Sequence, residues 1–171
     1  LPAHWHNTPD KITPGVLRKI RSARGAYDRI SVIYGDCGTG GDLDRALEAA
    51  GVERIPGPHC YQFLMGTADF EALAEAEPGC FFLTDYLVRH FDRLIVKGLG
   101  LDRYPELLPD YFGNYTKVVH LAQTADASLR ARAETAARRL GLAFEHRMVG
   151  YGELAGFVAR PHEELSTAGA K

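Results

Sequence analysis

The feature that most constrains this chain is a run near its carboxyl end: KVVHLAQ, then Asp126, then ASLRARAETAARRL, then Gly141, then AFEHRMV. The first and last pieces are short, apolar and rich in β-branched or aromatic residues, so they read as strands. The middle piece is a good helix former, with Asp126 as N-cap and Gly141 as its stop. A strand, a helix and a strand in that order make a parallel crossover.

Earlier segments repeat the alternation. RISVIYG, Arg29 to Gly35, reads as a buried strand, and DLDRALEAAG as the helix after it, with Leu43, Ala46, Leu47 and Ala50 on one face. A short strand around Glu53 to Ile55 is cut off by Pro56-Gly57. Ala68 to Ala76 reads as a helix, CFFLT (Cys80 to Thr84) as a strand, and Asp85 caps a further helix through YLVRHFDRLIVKG. Near the start, Thr13 caps a basic helix that opens at Pro14. The expected fold is α/β: a three-layer, Rossmann-like sandwich with a mostly parallel sheet. Residues 1–160 are expected to form a single domain, and the Ser/Thr/Ala/Gly-rich stretch from Pro161 to Lys171 a frayed tail. The opening LPAHWH has no initiator Met and suggests a missing amino-terminal segment.

Such folds bind ligands beyond the carboxyl ends of their strands. That rule selects His6-Asn7, Asp36-Cys37-Gly38, Pro58-His59-Cys60, Thr84-Asp85, Gln123-Thr124 and Tyr151-Gly152-Glu153. The loop YGDCGTGG is the most suggestive. As a turn, its glycines supply positive φ. As a cradle, the backbone of Gly38, Thr39, Gly40 and Gly41 would hold an anionic or polar part of a substrate. It resembles the glycine-rich loop of S-adenosylmethionine methyltransferases, but Tyr34 stands where that family has an acid and Ile55 runs into Pro56.

The loop also carries Cys37, ahead of a helix whose start should lower the thiol pKa. If the neighbouring strand brings His59 and Cys60 alongside, two thiolates and an imidazole could hold zinc with one position open. His6 is then a further ligand or acid–base group, and Asp36 or Asp85 orients an imidazole. The same residues could instead form a nucleophile and its base, with Cys37 attacking, or simply pack. Cys80, His120 and His146 fall inside strands and need no special role. His4 and His6 would share a face if HWH is extended. His90 and Asp92 belong to a helix and face solvent.

Composition narrows the partners. Three cysteines in 171 residues are no disulfide framework, which points to a reducing cytoplasm. A net charge of −2 forecasts no nucleic-acid partner, and no apolar run is long enough for a membrane span. A small-molecule substrate fits, and a homo-oligomer is compatible.

The blocks LPAHWHNTPDKI, YGDCGTGGDLDRAL, ERIPGPHCY, FFLTDYLVRHFDRLIVKGLGLDRYPEL, YFGNYTKVVHLAQT and GYGEL resemble the bacterial and archaeal domain-of-unknown-function family 1638. His6, Asn7, Cys37, His59 and Cys60 match its pattern, and Cys80 departs from it. The resemblance implies company with corrinoid-dependent methyl-transfer proteins. It fits a zinc–thiolate enzyme of methyl-group metabolism. Two alternatives stand beside that reading: an S-adenosylmethionine-binding methyltransferase, and a non-enzymatic module that binds a small molecule or a protein.

Overall fold

The structure, a computed structural model, describes residues 1–160. The tail expected from Pro161 to Lys171 lies outside the described residues. The chain divides into two compact units: Leu1–Phe63 with the segment from Gly152, and Leu64–Tyr151. The fold is α/β and every strand pairing is parallel, in a two-stranded sheet and a three-stranded sheet. The sequence reading has one mostly parallel sheet.

In the unit spanning Leu1–Phe63, strand β1 (Ser31–Val32) pairs with β2 (Glu53–Arg54). Helix α1 (Ile12–Ala23) and helix α2 (Asp42–Ala49) supply the core, with Ile12, Val16, Ile20, Leu43 and Leu47 buried together. Burying each of these side chains contributes about 1.5–3 kcal/mol. Three sequence expectations are corrected here. Helix α1 starts at Ile12, not Pro14, because a 3-10 turn over Pro9–Lys11 feeds it directly. HWH is not extended but lies in a 3-10 turn over Ala3–Asn7, so His4 and His6 do not share a strand face. The strand expected from Arg29 to Gly35 pairs only at Ser31 and Val32, and Ile33 is exposed. Helix α3 (Cys60–Met65) opens at the end of this unit, and α8 (Gly152–Ala159) belongs to it, burying Phe157.

In the unit spanning Leu64–Tyr151, helix α4 (Thr67–Ala76) precedes strand β3 (Cys80–Thr84). Helix α5 (Asp85–Arg89) follows without a loop, then one π-helical turn over Asp92–Val96 and helix α6 (Leu108–Phe112). Strand β4 (Lys117–Ala122), helix α7 (Ala127–Leu140) and strand β5 (Ala143–Met148) complete it, in sheet order β3-β4-β5. Asp126 caps α7 by accepting the Ser128 and Leu129 N–H groups, and Gly141 ends it at φ 72°. Leu129, Ala133, Ala136, Ala137 and Leu140 of α7 pack on Leu83 and Val118. Two details differ from expectation. The cap of α5 is Thr84, whose hydroxyl accepts the Leu87 N–H, and Asp85 is the first helical residue, buried. His90 ends that helix, with its ring against Tyr86.

Candidate functional site

The parallel pairing of β1 and β2 continues past both strands. Ile55 N–H donates to Val32 O, Asp36 N–H to Gly57 O, and Cys37 N–H to Pro58 O at 2.9 Å. This carries the loop after β1 along the turn after β2. Gly35 lets them touch: a Cβ there would sit 3.0–3.1 Å from the His59 and Cys60 backbone. The backbone of residue 37 therefore meets that of residues 58 to 60, more than twenty positions further along the sequence, at one rim.

Arg54 fixes that arrangement, and the sequence reading missed it. Its Nη1 donates to the carbonyls of Ile55 (2.8 Å), Gly57 (3.0 Å) and Tyr34 (3.3 Å), while Nε and Nη2 grip the Asp44 carboxylate. A lone Arg in a short strand carries no pattern that would single it out. Only the three convergent carbonyls reveal its role.

Cys37 stands in the left-handed region at φ 48°, the one non-glycine with positive φ among the described residues. Burial raises its pKa, against the opposing pull of the Cys60 N–H. This corrects the expectation of a lowered value: the desolvation of a half-buried thiol outweighs the neighbouring N–H donors. The Cys60 thiol is pushed up to about 12, by burial first and then by the charge of Cys37. Tyr34 lies beside both thiols and is likewise pushed up to about 12, by burial and then by Cys37 and Cys60. Its hydroxyl is buried with no hydrogen-bond partner, as are Thr8 Oγ1 and Gln62 Oε1. Gln62 extends over Gly57.

His6 reaches this rim from the 3-10 turn rather than from a strand. Its ring stacks on Tyr34 with centroids 5.6 Å apart, and Pro9 packs against Gly38. Nδ1 of His6 donates to Ala3 O at 2.8 Å, which leaves Nε2 as the lone-pair nitrogen. His59 is exposed, and its carbonyl accepts the Gln62 N–H at the start of α3.

Asp36 turns inward. It accepts the Thr39 hydroxyl and the N–H groups of Gly41 (3.1 Å) and Gly40 (3.2 Å). Burial would raise its pKa, but these donors and Arg54 hold it below the ordinary carboxylate value. Within the Gly38–Gly41 cradle three donors are engaged inside the loop: the N–H groups of Gly40 and Gly41 serve the Asp36 carboxylate and that of Thr39 serves Asp36 O. A cleft of about 450 Å³ does border Gly38 and Thr39, but Asp10 and Asp42 line it too, which disfavours an anion. The loop forms a turn in which Cys37 is half-buried. Asp85, considered as an orienting group for an imidazole, does bind one, that of His120, within the Leu64–Tyr151 unit.

Among the described residues no group of three His, Cys, Asp or Glu side chains is arranged to hold a metal ion. Cys37, His59 and Cys60 thus do not form a ready three-ligand set. Also among them, no helix is long and apolar enough to cross a membrane.

These features define an α/β protein whose parallel strand ends carry a thiol-bearing rim. The family described as "Protein of unknown function (DUF1638)" matches residues 1–158, and the chain belongs to that family. Neither a curated protein nor a solved structure matches the chain.

Proposed function

We propose that the rim formed by Cys37, Cys60, Tyr34 and His6 is the reactive site of an enzyme acting on a small molecule, with the two sulfurs taking a thiophilic group. One observation carries this reading: a cysteine is held in a backbone region that non-glycine residues avoid, with its thiol against the backbone N–H of a second cysteine. Strain of this kind costs about 1–3 kcal/mol and tends to persist where a site uses it. Three unpartnered buried polar atoms in the same segments, on Thr8, Tyr34 and Gln62, give a ligand donors and an acceptor to satisfy.

Zinc is the thiophilic group we favour. Two sulfurs are its preferred donor chemistry, and raised thiol pKa values mean that a cation must displace the protons. The present arrangement supplies two protein donors and not three, so we derive no reaction step through the metal. Corrinoid-linked methyl-group metabolism is the setting that the family resemblance suggests.

The test is metal analysis of chain purified without a metal-affinity column, beside Cys37→Ser and Cys60→Ser. Zinc bound in stoichiometric amount by the parent and lost in both variants supports the reading. Equal metal content in all three removes it. The burial of both thiols favours one rival, a binding module whose cysteines only pack. Metal-free protein in which Cys37 as well as Cys60 alkylates only after unfolding would select that rival. The S-adenosylmethionine reading is weakened by the engaged glycine N–H groups, and calorimetric titration with S-adenosylhomocysteine checks it.

A further inference from the structure

The Leu64–Tyr151 unit holds a second constellation that the thiol rim does not use. His120 of β4 is fully buried (0% exposed), and its Nε2 lies 3.0 Å from Asp85 Oδ1. The parallel register sets His120 opposite His146 of β5, and their Nδ1 atoms are 3.2 Å apart. Asp85 is pinned from the other side: Oδ2 accepts the Thr124 N–H (3.1 Å) and hydroxyl (2.8 Å). Gln123 Oε1 accepts the Asp85 N–H at 3.0 Å. Thr84-Asp85 and Gln123-Thr124 are strand-end residues, where parallel sheets place ligands.

This network fixes the proton positions. A carboxylate oxygen accepts, so His120 carries its proton on Nε2 and leaves a lone pair on Nδ1. That lone pair takes the Nδ1–H of His146. His146 is therefore left with its lone pair on Nε2, and it is only half-buried, unlike His120. Burial first, then the neighbouring His120 and the positive charge of Arg130, lower the His146 pKa against the opposing pull of Asp85, which favours the neutral ring.

We propose that His146 is the proton-transfer group of a second site, one that takes a small molecule presenting an exchangeable O–H or N–H to His146 Nε2. In the transfer the proton moves to Nε2, the ligand's heteroatom keeps the electron pair, and His146 becomes an imidazolium. His120 relays the field of the Asp85 carboxylate to that new charge. His120 and Asp85 are positioning residues, since neither reaches the ligand. This site is independent of the thiol rim.

Long-range proton–nitrogen correlation spectra of the uniformly ¹⁵N-labelled chain, taken above neutral pH, test it directly. The expected result is a single tautomer for each ring: Nδ1–H for His146 and Nε2–H for His120. Either ring in the opposite tautomer overturns the proposal. In Asp85→Asn the amide donates to His120, so both rings should reverse, the loss seen when a catalytic carboxylate becomes an amide. Unchanged tautomers in a folded Asp85→Asn variant also overturn it. If that variant does not fold, the parent spectra and a titration with inorganic phosphate still decide. Phosphate, which offers an O–H, should move the His146 Nε2 resonance saturably. No movement refutes the assignment of a ligand site at His146.

Discussion

Replacing Arg54 by Met keeps the apolar stem and deletes the guanidinium, so it isolates the clamp that holds the two loops together. The side chain is 11% exposed, while its partner Asp44 is 51% exposed. The ion pair with so open a partner is worth only about 0.5 kcal/mol. The three carbonyl contacts matter more. Each satisfied acceptor at the rim contributes about 1 kcal/mol, so losing those of Ile55, Gly57 and Tyr34 costs about 3 kcal/mol. The total, near 3.5 kcal/mol, corresponds to a fall in Tm of about 7–14 °C for a chain of this size. Trp5 is the sole tryptophan and packs on the Ile12–Leu47 core, so its fluorescence in a urea titration reports on this unit. Alkylation of Cys37 and Cys60, followed by mass spectrometry, should accelerate in parallel. Arg54→Lys should fall between the two, because an ammonium cannot serve Asp44 and the carbonyls together. A loss below about 1 kcal/mol in Arg54→Met, with unchanged alkylation, would refute the account of how the rim is assembled.

Three further outcomes follow from the same geometry. Gly35→Ala drives a methyl against the His59–Cys60 backbone, so it should destabilise by about 1–3 kcal/mol and raise Cys60 alkylation. Because the Asp36 pKa is lowered in the fold, the stability it contributes is complete above about pH 4 and is lost as pH falls through the lowered value. Asp36→Asn should flatten the acid limb of a urea-midpoint against pH plot. With its thiol pushed up to about 12, native Cys60 should resist iodoacetamide at about pH 8 and react promptly in urea, where its pKa returns to roughly 8.5.

The segment from Lys117 to Met148 was legible because every signal in it is local. Asp126 caps, Gly141 takes the left-handed stop, and the apolar periods of strand and helix agree. The backbone approach of the Cys37 loop to residues 58 to 60 was also legible, through the expectation that β1 and β2 are neighbours. The thiol pKa was not, because the sequence shows the helix that follows Cys37 but not the packing that desolvates it. The chain Asp85–His120–His146 was invisible for a different reason. Its members lie 26 and 35 positions apart, and only strand register and the loop-free passage from β3 into α5 join them. The start of the protein was misread because HWH alternates like a strand, while Pro2 and Pro9 frame 3-10 turns.

The backbone of Cys37 has a consequence for laboratory evolution. An L-residue in that region is disfavoured by about 1–2 kcal/mol relative to glycine. A population selected for heat resistance alone should therefore discard this cysteine early in favour of glycine or asparagine. If the residue instead endures through many rounds in cells that depend on the protein, something other than folding is keeping it there.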